Sequence, residues 1–558
     1  MWNSPHVAME SLRVLPLLFV AIANIAAGQT IYDGSVVQSE LNAAIAAGQT
    51  SYTLPPGRIN LSGSLWLPPG TSSFTLKGQT GSRLVRNSSS DFPLVVVGTN
   101  GAHGYDNGAF TGPATSIAPA QEGSISLTRI GGQALVPGWY GLIGTNPQDD
   151  FVRTADGATT FAFKRELVRV LSVAGNVATL EGPIGRSFGT GEMRFLESQV
   201  TAQHDKKVCQ RISLQNLVLD GTSAVDGSKV SKVLVIGVTN GVYVDDVSVS
   251  SFSTSGISVL FSKGVTINRA RISLGRNDAL GYGIEFVGSR FVTVRNSNFS
   301  TTRTGVLFQG GTMDALVADC LGPTLNFDVG HGQGEKRLTY RRVLADKFAV
   351  ANTAWRRGVD GATIEDCTAF DSITVNAGAS NVLIKGKYSG QASTTPMIVT
   401  TTVTGGNGIP NGDSFVHSLT LEDGTSLGTP DKGYNLYMVE SSPDGPCMLG
   451  SLTIRNWTFK TLFGAPSNLR FTRTTNSPTI SIHNSTFENV YEYGAPLYFG
   501  ASGTNRWNLD LQGNSFNVPG QYVVQFHTNS TASWTNLSNL INGNPVTLAN
   551  VNNPGALQ

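Results

Sequence analysis

Short runs of alternating apolar and polar residues recur through the middle of the chain. They read GVYVDDVSV at 241–249, GVTINRARI at 264–272, FVTVRNSNF at 291–299, RLTYRRVLA at 337–345 and GATIEDCTA at 361–369, and the alternation is followed each time by Asn, Asp or Arg. After a looser stretch the pattern resumes as GSLTIRNWTF at 450–459, PTISIHNSTF at 478–487 and WNLDLQGNSF at 507–516. An apolar residue at every second position is the signature of a half-buried strand, because successive side chains point to opposite faces. The second apolar residue of each run gives the series Val244, Ile267, Val294, Val317, Tyr340, Ile364 and Ile384, with steps of 23, 27, 23, 23, 24 and 20 residues. A near-constant step of this length predicts a solenoid in which each coil stacks on the one before it.

Leucine-rich repeats share that length but need a leucine ladder and helix formers on the return. Here the ladder positions are mainly Val, Ile and Thr, and Gly, Ser and Asn lie between them. A strand-only coil is therefore predicted: an all-β, right-handed parallel β-helix. Three residues beyond the anchors stand Ala270, Ser297, Cys320, Val343 and Cys367, which stacking would gather into one inward-facing column. Cys320 and Cys367 would then lie two coils apart, ~9–10 Å at sheet spacing, too far to bridge.

Before the coils, VVQSELNAAIAAG (36–48) carries Val37, Leu41 and Ile45 four apart, which predicts a short amphipathic helix to cap the open apolar end. Residues 125–200 break the rhythm, and RELVRVLSVAGNVATLEGPI (165–184) reads as a hairpin turning at Ala174-Gly175-Asn176. The expected organisation is an export signal over 1–28, an N-terminal cap with the first coils over 29–124 and a small inserted β subdomain over 125–200. The main helix would follow over 201–520, with a C-terminal cap or tail over 521–558. Arg13 followed by the apolar run Val14 to Ala27 carries the signal reading. The run is shorter than the ~20 residues a bilayer span needs and ends in small residues. The mature protein is expected to be secreted and free of the membrane.

Lys plus Arg (39) nearly balances Asp plus Glu (38), charged residues are only 14% and the net charge is +1, so there is no basic excess of the kind that binds nucleic acid. Four scattered cysteines with no C-x-x-C pair suit neither a disulfide framework nor a zinc site. The acidic pairs Asp149-Asp150 and Asp245-Asp246 leave Ca2+ open, but no Asp-x-Asp-x-Asp-Gly loop supports it, and no metal or cofactor is assigned. Monomer and trimer both stay open.

The helix, the Leu54-Pro55-Pro56-Gly57 stretch, the hairpin insertion and the coils together resemble the pectate-lyase-like superfamily of right-handed β-helices. The local likeness lies in Gly281-Tyr282-Gly283-Ile284, Arg303-Thr304-Gly305, Asp328-Val329-Gly330-His331-Gly332 and Arg356-Arg357-Gly358. Thr304 stands where many relatives carry His, and Gly330 lengthens the Asp-to-His spacing. Gly330-His331-Gly332 also resembles the Gly-His-Gly motif of polygalacturonases, but the paired aspartates and the Arg-Ile-Lys motif of those hydrolases are missing.

Tyr282, Arg303, Asp328 and Arg356 are 21, 25 and 28 residues apart, close to one coil each, which predicts one file up a common wall. The resemblance implies a carbohydrate-active protein, and the residues favour cleavage of a uronate-containing polysaccharide by β-elimination. His331 and Tyr282 would serve as base and acid, Asp328 would orient the imidazole, and Arg303 would neutralise the uronate carboxylate. Arg356, Arg357, Trp355 and Glu285 are the expected substrate contacts. Glu285 with Asp328 is the alternative, as the two carboxyls of a hydrolase. A non-catalytic glycan-binding or adhesin β-helix needs only the groove.

Overall fold

A computed structural model describes residues 30–99, 114–145, 151–153, 160–162, 165–189, 191–195, 208–275, 280–331, 334–351, 358–389, 395–400, 415–428, 434–439, 448–465, 467–471, 477–490, 494–500, 505–528 and 530–557. The alternating runs are strands, and they pair in parallel with the runs one coil away. Every predicted anchor meets the next: Val244 pairs with Ile267, Ile267 with Val294, Val294 with Val317, Val317 with Tyr340, Tyr340 with Ile364 and Ile364 with Ile384. The chain is a right-handed parallel β-helix, the hand that parallel crossovers take.

Each coil contributes to three faces. The first face holds Ser72–Lys77, Cys209–Gln215, Thr239–Asp245, Lys263–Asn268, Arg290–Arg295, Met313–Ala318 and Glu335–Arg341. The second holds Arg58–Leu61, Arg83–Arg86, Val218–Asp220 and Arg271–Gly275. The third holds Val95–Gly98, Val230–Gly237, Tyr282–Val287, Thr304–Gln309 and the end of Leu321–Val329.

Between the first and second faces the chain turns on one left-handed residue per coil: Asn216, Asp246, Arg269, Asn296, Asp319, Arg342 and Asp366 all have φ between 50° and 56°. Asn and Asp tolerate this conformation best, which explains the polar residue that closes each alternating run. The next residue points inward, and the expected column of Ala270, Ser297, Cys320, Val343 and Cys367 is buried there. Ser297 Oγ accepts from Ala270 N (3.1 Å), and Val343 N donates to Cys367 Sγ (3.4 Å), across adjacent coils. Burial pushes both the Cys320 and Cys367 thiols up to about 12, so they are core and not nucleophiles. Cys447 lies outside the described residues.

Further along, rings stack at rung spacing: Phe459 on Phe487 at 4.9 Å, Phe487 on Phe516 at 4.8 Å and Phe471 on Phe499 at 5.0 Å. Strands do not stop at 520. Val524–Phe526 pairs with Leu497–Phe499, and Ser530–Leu537 with Asn505–Gln512, so coils continue into the segment expected as a tail.

At the other end, the expected helix spans Gly34–Ala46, begins on Asp33, which accepts from Ser35 N, and buries Val37, Leu41 and Ala44. The inserted subdomain is a closed antiparallel barrel of Ala114–Ile117, Ser126–Gly132, Tyr140–Thr145, Arg165–Ala174, Val177–Leu180 and Gly191–Phe195. It starts ahead of the expected 125. The hairpin closes at Ala174 and Val177 around Gly175, whose φ of +60° requires glycine's freedom. The barrel packs Tyr140, Leu142 and Leu167 against Val96, Val235, Leu260 and Val287 on the outside of the third face. Buried Glu166 fixes it by accepting from Gly185 N (2.9 Å) and pairing with Arg290, which also binds Asp314 at 2.6 Å. The insertion interrupts a corner that elsewhere is short: residues 99–208 stand between Gly98 and Cys209, where the next coil uses only residue 238 between Gly237 and Thr239.

Candidate functional site

The third face turns its inner side chains into the solenoid core and its outer side chains toward the barrel. Glycines at one inner position, Gly256, Gly283 and Gly305, leave room for phenylalanine rings below. A Cβ on Gly283 would meet the Phe299 ring at 2.7 Å, and one on Gly305 would meet Phe327 at 2.5 Å. The Tyr-Gly-Ile and Arg-Thr-Gly motifs therefore owe their glycines to packing, and the polar residue beside each glycine is set on the outer side.

Two adjacent outer files carry the chemistry. One runs Ser255, Tyr282, Thr304, Asn326; the other runs Ser258, Glu285, Leu307, Asp328. The pairing shifts between Thr304 and Leu307, a bulge that moves Asp328 out of the tyrosine's file and into the glutamate's. The single file expected from spacing alone is thus corrected to two. Arg303 sits one residue ahead of the Thr304–Gln309 strand and reaches back along the wall. Its Nη1 donates to the Tyr282 hydroxyl at 3.2 Å, and its guanidinium lies 5.8 Å from the Tyr282 ring centre. Burial holds the Tyr282 phenol above its ordinary range, against the opposing pull of Arg303, so the phenol keeps its proton.

Asp328 is 2% exposed at its side chain and His331 13%, and His331 Nδ1 stands 3.5 Å from Asp328 Oδ2, an ion-pair approach rather than a short hydrogen bond. The His331 amide donates to Phe308 O (2.9 Å), and the Tyr340 hydroxyl donates to Asp328 O (3.1 Å) from the core side. Both bonds pin the turn that carries the pair. On the outer side of this wall Tyr282 (6% exposed) and Asp328 are buried, and Arg303 and His331 are half-buried.

Glu285 does not take its expected part. Its side chain is fully buried, so it meets no sugar. It accepts from Ser255 Oγ (2.8 Å), Ser258 Oγ (3.1 Å) and Gln309 Nε2, and pairs with Lys232 Nζ at 3.4 Å. Burial raises its pKa, but Lys232 and the two hydroxyls outweigh that and hold the carboxyl below the ordinary glutamate range. An enclosed carboxyl held below the ordinary glutamate range is poorly suited to donate a proton to a leaving oxygen, which argues against it in a hydrolase pair. Trp355, Arg356 and Arg357 lie outside the described residues, as do Asp149 and Asp150.

A cleft of about 370 Å³ opens three residues past His331, between Arg186 and Ser187 of the barrel and Glu335, Lys336 and Asp360 of the coils. A larger one, about 680 Å³, lies at another corner, between the first and second faces, beside Lys77, Arg83 and Arg271. Its position far along the coil from the Tyr282 group gives it no part in this site. Asp245 and Asp246 serve as rung-to-rung ties, to Asn268 (2.9 Å), Arg269 (2.5 Å) and Arg271 (2.8 Å). Among the described residues no three His, Cys, Asp or Glu side chains gather as a metal site. Sequence reasoning missed Ser255 and Ser258, one coil from Glu285, and Lys232, two coils from it, whose only signal was that offset.

No protein-family model and no curated protein matches the chain. Among solved structures it is similar to the tailspike protein gp49 of Pseudomonas phage LKA1, at 14% identity over 90% of this chain and 74% of that one, with a TM-score of 0.50. It is similar also to the gp54 tailspike of Acinetobacter baumannii bacteriophage AP22, solved in complex with a capsular saccharide, at 12% identity over 92% of this chain and 76% of that one, again with a TM-score of 0.50. At such identities the likeness shows the parallel β-helix fold. Among the described residues no helix is long and apolar enough to cross a membrane.

Proposed function

We propose that this protein is an exported polysaccharide-degrading β-helix that cleaves a uronate-containing polymer by β-elimination at Tyr282, Arg303, Asp328 and His331. The observation that carries the reading is the pairing of a protonated phenol with a guanidinium on the same surface as a carboxylate-backed imidazole. His331, oriented by Asp328, takes the proton next to the uronate carboxylate. The electrons left behind form the ring double bond as the glycosidic C–O bond breaks. Tyr282, which accepts a hydrogen bond from Arg303 and keeps its own proton, protonates the departing oxygen. Arg303 offsets the charge that builds on the carboxylate. The saccharide bound by the AP22 tailspike supports a polysaccharide as the partner for this fold. The apolar N-terminal run supports export, and membership in the pectate-lyase-like superfamily belongs to the same reading.

The test is incubation with acidic and neutral glycans while following reducing ends and the ultraviolet absorbance of unsaturated uronate. Both signals should rise together, and His331→Ala and Arg303→Ala should each abolish them while circular dichroism stays unchanged. Reducing ends without absorbance would mean hydrolysis, and binding without either signal would mean an adhesin-like role. Full activity in both variants would overturn the site.

A further inference from the structure

The outer file that carries Asp328 continues well past it. Asp328 pairs with Ala349, Ala349 with Thr374, Thr374 with Ile398, Ile398 with Tyr437, Tyr437 with Arg470 and Arg470 with Tyr498. Ile398, Tyr437, Arg470 and Tyr498 alternate with the inward residues Met397, Val399, Leu436, Met438, Leu469, Phe471, Leu497 and Phe499, so they face outward and are half-buried. At rung spacing Arg470 stands five coils, ~24 Å, along the same wall from Asp328.

Three tyrosines surround that arginine. Its guanidinium lies 5.0 Å from the Tyr434 ring centre, 5.3 Å from Tyr498 and 5.7 Å from Tyr437, and Nη1 donates to the Tyr434 hydroxyl. Tyr434 and Tyr437 stack at 5.3 Å. Gly500 lets the Tyr498 ring lie flat against the strand end, since a Cβ there would meet the ring at 2.2 Å. Among the described residues no carboxylate comes within ion-pair distance of Arg470, whereas Arg290, Arg337 and Arg342 on other surfaces each have one. The ring quadrupoles around such a cation leave it most of its attraction for an anion. Flat aromatic faces beside it suit the C–H face of a pyranose ring.

We propose that Tyr434, Tyr437, Arg470 and Tyr498 form a second glycan subsite, which takes a carboxylate-bearing sugar several units along the same polymer from the bond cleaved at Tyr282 and His331. The identity of the polymer rests on the proposed function. The subsite itself rests on the tyrosine–arginine cluster and on its shared file with Asp328. It gives the long wall a use that the cleavage site alone does not require: holding an acidic chain in line with the coils.

The test is affinity electrophoresis of the full chain through gels containing polygalacturonate, alginate or hyaluronate, with dextran and pullulan as neutral probes. Carboxylated polymers should retard the wild type, and Tyr437→Ala combined with Tyr498→Ala should weaken that retention about tenfold, as the loss of central aromatic contacts does. Arg470→Gln should weaken it similarly, and Tyr437→Phe, which keeps the ring, should retain it. Gly500→Ala, which displaces the Tyr498 ring without adding charge, should weaken it while leaving the melting temperature within a few degrees. Unchanged retention in the double variant, with retention lost in Arg303→Ala, would overturn the subsite and leave the cleavage site standing. Retention by the neutral polymers alone would overturn the carboxylate preference. A wild type that no polymer retards would overturn both this subsite and the polysaccharide reading above.

Discussion

Replacing Lys232 by methionine removes the cation from a carboxylate that has nowhere to go. Glu285 is fully buried, its Lys232 partner is only 14% exposed, and Ser255, Ser258 and Gln309, which also hold it, are neutral. Breaking a buried pair by deleting one partner costs about 3–5 kcal/mol, because the other charge is left uncompensated. Glu285→Gln should cost less, since Lys232 still donates to Ser258 Oγ (3.1 Å) and keeps some access to water. The double variant should recover much of the loss. The pH dependence fixes the sign. In the wild type the Glu285 carboxyl lies below its ordinary value of 4.5, so its stabilisation is complete above about pH 4.5 and is lost as the pH falls through the folded value. In Lys232→Met only neutral hydrogen-bond donors such as Ser255 and Ser258 are left to oppose burial, the largest single influence, and the folded value should rise above the unfolded one. The carboxyl then costs stability at neutral pH and ceases to do so once acid protonates it. The gap between variant and wild type should therefore be widest near neutrality and close on acidification. Hydrogen exchange of the Ser248–Leu260 and Tyr282–Val287 strands, followed by mass spectrometry from neutral pH to below the carboxylate range, measures this locally. The local readout is preferable because a long stack need not unfold in one step. A variant within about 1 kcal/mol of wild type at neutral pH, with no narrowing in acid, would refute the buried ion pair.

Other expected outcomes are more direct. Tyr282→Phe should keep the ring and the fold but lower turnover by about 100-fold or more, the usual worth of a general acid, as steady-state kinetics would show. Cys320 and Cys367, buried with thiols raised to about 12, should resist a thiol reagent in the native protein and react once denaturant opens the coils. Gly305→Ala should lower stability by about 1–3 kcal/mol through its clash with Phe327, measured by chemical denaturation. Trp457→Ala, which empties a fully buried ring from beneath the coil that carries Ser426, should cost about 3–5 kcal/mol by the same measurement.

The coils were legible because one side of every strand must be apolar and the step between coils is nearly fixed, so Val244 to Ile384 declared themselves from their alternation. Ser297 and Cys320 followed from the same counting. The site was less legible. Spacing assigns a residue to a coil but not to a file within it, and the bulge between Thr304 and Leu307 moved Asp328 by one file. Burial of Glu285 depended on Lys232 and Gln309 from other coils, which no local pattern announces. The tyrosine cluster escaped notice because the steps from Ile398 to Tyr437 and on to Arg470 are 39 and 33 residues, well above the earlier 20–27. Long excursions between coils erase the period while leaving the stacking intact.

The corner between Gly98 and Cys209 has a consequence for how such a molecule can change. The coils on either side already pair directly, Leu76 with Leu214 and Val96 with Val235, so the ladder does not pass through the barrel at all. That corner is a splice point: a different module could be grafted there, provided it shields Val235, Leu260 and Val287, with every rung of the stack kept in register. Variation at that corner can then come by swapping a bolted-on part, at no cost to the shaft that bears it.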